Sequence, residues 1–296
     1  MDMLLKLKAF IATADAGNFS EAARNSHVTP SVMMKRVDEL EWDFKTTLFV
    51  RTTRRLTLTD TGQRYLTHAR RLLQSYHDMA SGAILEPGSI EGPIRLKVPA
   101  VFLRQGLGDL FAAFRAEHPL VQLTVIASDR GGDPSTEGFD IAVEMDQRAY
   151  PGVVEQVLRP FPRLLCAAPS YLARHAAPRH PRDLANHPCL TFSIAGPIWA
   201  FDSPEGRVEV DVRPVLVTND PEYLCAAACA GQGILQLARS SVADALQAGR
   251  LVPVLAAFPL VERWVKIMAP ANRLELLRVK RLFDAMVRQL GAARGG

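Results

Sequence analysis

The chain has 296 residues, with 35 Lys and Arg against 31 Asp and Glu for a formal net charge of +4. That length suggests two domains, each with enough sequence to bury a core, and the net charge is so mild that only its distribution can speak about nucleic acid. No apolar run approaches the ~18 residues a membrane span requires, and the four cysteines (Cys166, Cys189, Cys225, Cys229) hold no CxxC pair and suggest no secreted disulfide framework.

The opening MDMLLKLKAFIATADAG is predicted as an amphipathic helix and not a leader, because Lys8 interrupts it and Leu4, Leu7, Ile11 and Ala14 recur at helical spacing. Ser20 with EAARNSH, a bend at His27 and Val28, and Thr29 with PSVMMKRVDELEWDF then predict two helices across a tight turn. Ser20 and Thr29 are the expected N-caps and Pro30 the first helical residue. Ala22 and Ala23 are small enough for close crossing, and Val32, Val37 and Leu40 are the expected buried stripe. Ser31, Met34 and Lys35 then face outward near the N-terminal end of the second helix, where a recognition helix meets base edges. Spacing alone leaves open whether Met33 or Met34 points inward.

The next stretch, LFVRTTRRLTLTD, alternates like a short hairpin with Leu56 and Leu58 inward and Arg51, Arg54 and Arg55 near its tip, and no acid occurs between Asp43 and Asp60. Beside two short helices such a hairpin is a wing; a solvated charged turn is the plainer alternative. TDTGQRYLTHARRLLQSYHDMASGAIL predicts one long helix capped at Thr59 or Asp60. Tyr65, Leu66, Ala69, Leu72, Leu73, Tyr76, Met79 and Ala83 lie on one side, a face that wants a partner or packs on its own domain. Pro87, Gly88, Gly92 and Pro93 break the pattern and mark a hinge.

From Ile94 the pattern turns to α/β. IRLKV, VQLTVIA and FDIAVEM are strands around the helix LGDLFAAFRAEH. LLCAAP opens a second unit with CLTF, one strand VEVDVRPVLV, the helix PEYLCAAACAG and GILQLA, and WVKIMAPA with ELLRVKRLFDAMVRQL closes the chain. GAARGG is read as a mobile tail.

Residues 1 to about 90 resemble the LysR-type transcriptional regulators of bacteria, through MDMLLKLKAFIATADAGNFSEAA, the capped helix, VDELEWDFKTTLF and above all RTTRRLTLTDTG, and the resemblance continues to nearly the end of the chain. It implies an α/β chain with a winged helix-turn-helix over residues 1–58, a linker and dimerisation helix over 59–86, and a hinge over 87–93. A two-lobed, periplasmic-binding-protein-like effector domain follows over 94–296, with lobe I at about 94–162 and 267–291 and lobe II at about 163–266. The two crossovers are expected near Arg159–Ala167 and Leu260–Met268. The implied partners are double-stranded DNA, a small-molecule effector bound between the lobes and further copies of the chain, as a homodimer pairing into a homotetramer. RNA polymerase is a further candidate contact; no cofactor and no membrane are implied, and the expected location is cytoplasmic.

On the matching positions, Ser20, Thr29, Pro30, Ser31, Met34, Lys35, Arg51, Thr53 and Arg54 are the expected DNA-binding residues. Family members usually carry a polar residue where Pro30 stands and Ser where Met34 stands, so this helix is poor in hydrogen-bonding groups and reads DNA more by apolar contact and shape. For the effector, the expected residues are Ala100, Val101, Phe102 and Arg104 after the first strand, Glu144, Phe192, Thr218, Asn219 and Gln236. Val101 in place of a hydroxyl and Glu144 in place of a common Arg disfavour an anion, whereas Arg104 and the Thr218–Asp220 helix start leave room for a carboxylate.

An enzyme or a transport-type binding protein is the rival reading, yet the sequence offers no GxSxG, HExxH, P-loop or GxGxxG. His175, His180 and His187 cluster in sequence, among Pro, Arg and Ala of an expected surface region, and are a weak metal set. A nucleoid-type architectural protein would need a far more basic chain. Cys225 and Cys229 share a helix face in LCAAACAG, where small buried packing is the plain reading and a thiol sensor the alternative.

Overall fold

Asp2 has extended backbone and its carboxylate accepts the Leu4 N–H, which starts helix α1 (Met3–Ala16); Gly17, with φ of 69°, ends it in the left-handed region that glycine adopts without strain. The computed structural model describes residues 2–51, 56–81, 90–145, 148–203 and 206–292. Helix α2 (Phe19–Asn25) is capped by Asn18 and not by Ser20. The Asn18 side-chain oxygen accepts the Glu21 N–H at 2.7 Å while its amide reaches back to the Glu21 carboxylate at 3.1 Å, which leaves Ser20 exposed in the first turn. His27 turns the chain with φ of 53°.

Helix α3 (Pro30–Phe44) starts as expected, with Thr29 Oγ1 accepting the Val32 N–H and Pro30 at the first position. Its buried stripe is Met33, Val37 and Leu40. These lie four and three residues apart on one face, whereas Val32 is rotated about 100° from Met33 and is 38% exposed, so the expected Val32 is replaced by Met33. The buried Lys6 ammonium of α1 reaches Asp43 at 2.7 Å and Glu39 at 3.5 Å and fixes the pose of α3. Strands β1 (Phe49–Arg51) and β2 (Leu56–Leu58) form the antiparallel wing.

Helix α4 (Asp60–Ser81) is capped by Thr59, whose hydroxyl accepts the Gly62 N–H at 2.8 Å. A β-carbon at Gly62 would lie 2.1 Å from the Leu48 carbonyl oxygen, so the wing and α4 can approach only over a glycine. The single apolar face expected of this helix is two stripes. Leu66, Ala69 and Leu73 are buried in the same core as Leu7, Phe10, Met33 and Val37, whereas Leu72, Tyr76 and Met79 are exposed. Ala83, Pro87 and Gly88 lie outside the described residues. Gly92 and Pro93, expected in a hinge, already belong to strand β3 (Gly92–Val98), opposite Val121 and Gln122.

Beyond β3 come the short helix α5 (Ala100–Phe102), a π-turn over Leu103–Leu107, and α6 (Gly108–Glu117). Strand β4 (Val121–Ala127), α7 (Pro134–Glu137), β5 (Ile141–Glu144) and β6 (Val153–Pro160) complete the outward path. The chain then crosses to β7 (Arg163–Ala167), α8 (Pro169–Leu172), β8 (Pro188–Phe192), β9 (Ile198–Ser203), β10 (Gly206–Asp211), β11 (Arg213–Thr218), α9 (Pro221–Cys229), β12 (Ile234–Ala238), α10 (Ala243–Gln247) and β13 (Val252–Val254). It returns through β14 (Trp264–Pro270) and ends in α11 (Leu277–Ala292), which takes in the Gly291 and Ala292 expected in a mobile tail; 293–296 lie outside the described residues. The first lobe's sheet has the order β4-β3-β5-β14-β6 and the second β11-β8-β12-β7-β13. Each buries its own hydrophobic core. VEVDVRPVLV is two strands and not one: β10 pairs antiparallel with β9, β11 pairs parallel with β8, and buried Val212 marks the corner between the two sheets.

The two crossing segments lie where expected and are bonded to each other, Phe161 N–H to the Arg263 carbonyl at 2.7 Å. Helix α4 meets the first lobe through Arg71, whose Nε donates to the Ser135 carbonyl of α7 at 2.6 Å.

Candidate DNA-reading surface and effector cleft

The turn at His27 sets α3 across α2 so that one face of α3 packs and the other is bare. Met33 is fully buried, while Met34 is 40% exposed and Ser31 and Lys35 are exposed beside it. The question that spacing left open is thereby answered. Thr29 Oγ1 and Ser31 Oγ share a hydrogen bond at 3.0 Å, so the two hydroxyls at the helix start act as a pair. Backbone N–H groups and small hydroxyls at a helix N-terminus suit a phosphate, and Met34 offers an apolar face to a base edge.

Arg51 at the wing base is engaged from within the domain. Its Nη2 lies 2.6 Å from Asp38 and 2.8 Å from Glu41, and its guanidinium sits 5.2 Å from the Phe19 ring centroid. Glu41 also accepts the N–H groups of Leu48 (2.6 Å) and Phe49 (3.0 Å), so one carboxylate holds the wing to α3. Thr53, Arg54 and Arg55 lie outside the described residues.

Between the lobes, a cavity of about 90 Å³ opens into a more polar cleft of about 380 Å³, and Asp129, Met145, Arg163, Ile194, Ala195, Gln236 and Arg263 line both. Of the residues expected there, Ala100, Val101, Phe192 and Gln236 line the cavity and Glu144 the cleft. Phe102 does not: it is fully buried in the core of the first lobe, with Phe161 against its ring. Arg104 points to the rim near Glu222, and Thr218 and Asn219 do not line the space; the Thr218 hydroxyl accepts the Asp220 N–H, and Asp220 caps α9.

Glu144 is buried, with Lys266 Nζ 3.4 Å away and a weak hydrogen bond from the Gly132 N–H at 3.3 Å. Burial raises the Asp129 carboxyl above the usual aspartate range, against the pull of Arg104. Arg163 donates to the Val261 carbonyl at 2.7 Å, and burial together with the like charge of Arg263 lowers its guanidinium to about 10. Gln236 is 5% exposed and its side-chain oxygen has no hydrogen-bond partner.

Sequence reasoning missed Asp129, Arg163 and Arg263. Arg163 and Arg263 lie within the two expected crossing segments, which is the signal for them, and Asp129 follows the end of β4 as Ala100 follows the end of β3. The histidines are structural: His187 bonds the Tyr171 hydroxyl at 2.7 Å, His175 stacks on Tyr171, and His180 caps a short helix. Among the described residues no group of three or more His, Cys, Asp or Glu could hold a metal ion, and no helix is long and apolar enough to cross a membrane.

A helix-turn-helix with a wing, joined by a long helix to two lobes around a cleft, defines a DNA-binding transcriptional regulator with a ligand-sensing domain. Residues 4–63 match the bacterial regulatory helix-turn-helix protein, lysR family, and residues 87–291 the LysR substrate binding domain; the chain belongs to the LysR family. It is 29% identical over 287 residues to the uncharacterized HTH-type transcriptional regulator YhjC of Escherichia coli, covering 96% of each chain. It is 30% identical over 258 residues to the probable regulator LtrA of Klebsiella pneumoniae, covering 86% of this chain and 83% of that one. The full-length virulence activator AphB of Vibrio cholerae shares the fold with a TM-score of 0.67 at 22% identity, covering 97% of this chain and 98% of that one. For CrgA, a LysR-type regulator of Neisseria meningitidis, the TM-score is 0.58 at 26% identity over the same shares.

Proposed function

We propose that the chain reads DNA with the exposed face of α3 and is controlled by a small molecule in the cleft lined by Arg163, Gln236 and Arg263. Ser20, Thr29, Pro30 and Ser31 meet phosphates or bases at the helix starts, Met34 and Lys35 lie deeper in the groove, Thr53 and Arg54 extend the contact from the wing tip, and Arg51 braces the wing. The chain catalyses nothing and works in the cytoplasm. Homodimers form through the exposed stripe of α4 and pair into tetramers, and contact with RNA polymerase is one route to output. The observation that supports this reading most is the split of the two methionines, one in the core and its neighbour bare on the outer face of α3. By linkage, effector affinity and DNA affinity must then change each other by the same factor.

The test is selection and sequencing of DNA fragments by the purified protein, with and without a panel of metabolites. A recurring paired half-site whose enrichment depends on Lys35 supports the reading. Fragments without a shared site, or a site unaffected by Lys35→Ala, overturn it.

A further inference from the structure

We infer that the cleft takes a zwitterion, an α-amino acid with an apolar side chain, its carboxylate held by Arg163 and its ammonium by Asp129 and the Gln236 side-chain oxygen. The inference rests on the cleft being the effector site and names the chemistry of what enters it.

Both spaces between the lobes are lined by Asp129 from the first lobe and by Arg163 and Gln236 from the second. Arg163 is half-buried, its hydrogen-bond acceptor is the neutral Val261 carbonyl, and among the described residues no carboxylate lies within ion-pairing distance of it. A cation so placed is rarely left without an anion in a folded protein. Asp129 is also half-buried, and its carboxylate makes no hydrogen bond or ion pair among the described residues. The cation that acts on it, Arg104, also faces Glu222 at 4.0 Å, so one guanidinium serves two carboxylates and a negative charge is left over. Gln236 is nine-tenths buried, and its side-chain oxygen meets no donor. The cleft thus presents one cation without an anion and, apart from it, two acceptors without a donor.

The register of the second sheet sets these poles apart. Arg163 of β7 stands opposite Ala238 of β12 and Leu165 opposite Gln236, so Arg163 and Gln236 share one face as diagonal neighbours, about 7–8 Å apart at the backbone. Two hydrogen bonds and the short span across an α-carbon fill such a separation. The ligand's ammonium, with three N–H donors, then meets Gln236 on one lobe and Asp129 on the other and holds the lobes together. Ala100, Val101, Met145, Phe161, Phe192 and Leu237 wall the rest of the cavity and suit an apolar side chain. A simple acid leaves Asp129 and Gln236 without a donor, and a simple amine leaves Arg163 without an anion.

The test uses the full-length protein at neutral pH and constant ionic strength. Calorimetric titrations compare leucine and phenylalanine with analogues that lack one charge each. These are 4-methylpentanoate and 3-phenylpropanoate, without the amine, and isopentylamine and 2-phenylethylamine, without the carboxylate. At least one of the two amino acids is expected to bind about tenfold or more tightly than both its analogues, on the scale of one charge-assisted contact. Asp129→Asn should erase the advantage over the acid and keep that over the amine, and Arg163→Gln should do the reverse. Should Arg163→Gln not fold, Asp129→Asn and the six probes on the parent protein carry the comparison. An acid or an amine that matches its amino acid, an advantage over the acid that survives Asp129→Asn, one over the amine that survives Arg163→Gln, or no binding by either amino acid overturns the inference. Ala195→Trp, which fills the cleft, separates this from the broader reading. A metabolite of the panel above that lacks the paired charges, binds the parent and is lost in Ala195→Trp keeps the cleft as the effector site and discards only the zwitterion. An amino acid that binds Ala195→Trp as well as the parent discards both.

Discussion

Met33 and Met34 are adjacent in sequence and opposite in fate, and exchanging each for a small residue should separate folding from reading. Met33 is fully buried between α1, α2 and α4, so Met33→Ala removes a complete side chain from the core and is expected to cost about 2–5 kcal/mol of unfolding free energy. Met34 is 40% exposed. Met34→Ser should therefore stay within about 0.5 kcal/mol of the parent in urea unfolding. Its cost lies on DNA, where the thioether can favour a base only by apolar contact, best offered by a thymine methyl. Losing that contact is worth about 1 kcal/mol, or about fivefold in relative affinity at one position per half-site. The assay is a competition among operators that carry uracil in place of thymine at one position at a time, because uracil lacks only the methyl. If no uracil weakens the parent more than it weakens Met34→Ser, Met34 reads nothing and the exposed face acts through Lys35 and shape.

Leu72→Glu with Met79→Glu should leave the monomer folded and abolish self-association in sedimentation, whereas Leu73→Glu, buried in the winged domain, should unfold that domain; a dimeric Leu72/Met79 variant places the seam elsewhere. Arg51→Ala should lower stability to urea by about 1 kcal/mol through its lost carboxylates and leave the salt slope of DNA binding unchanged; a slope smaller by about one would show that Arg51 leaves Asp38 and Glu41 for a phosphate. The N–H groups of His180 and Arg179 hold the Asp183 carboxyl below the usual aspartate range. The stability it contributes is therefore present above pH about 4 and lost as pH falls below it, and Asp183→Asn should flatten the acid limb of a urea-midpoint profile; an unchanged limb refutes the role. Burial pushes the Cys166 and Cys189 thiols up to about 12 and Cys225 to about 11, so an aromatic disulfide reagent at neutral pH should label these three only after denaturation, and rapid native labelling would restore the thiol-sensor alternative.

Most elements were legible because their signals are local. A Thr-Pro pair opens α3, alternation marks the strands, and a break in α/β rhythm follows the linker helix. What failed depends on contacts that sequence does not contain. The cap of α2 is an exception, because Asn18 outcompetes Ser20 through the hydrogen bond shared with Glu21, and the Asn18–Glu21 spacing of a capping box is present in the sequence itself. The face of α4 splits because a helix wide enough to serve two neighbours carries apolar residues over more than one stripe, and periodicity does not say which stripe meets which neighbour. Ala100, Val101, Glu144, Phe192 and Gln236, expected at the cleft from their position relative to strand ends, do line the space between the lobes. Phe102 was not separable from them, since the residue after a lining position can turn into the core, and Arg163 lies where two distant segments of chain meet.

Because Leu66, Ala69 and Leu73 of α4 complete the hydrophobic core of the first domain, that domain does not end at the wing. A fragment cut after Leu58 would expose Phe10, Met33 and Val37 to water and should aggregate, whereas one that includes α4 keeps its core closed. The natural unit for recombination between regulators is then the winged domain together with its long helix. A chimera joined beyond residue 81 exchanges sensors under an intact reader, and one joined at the wing grafts a foreign helix onto a core shaped for another.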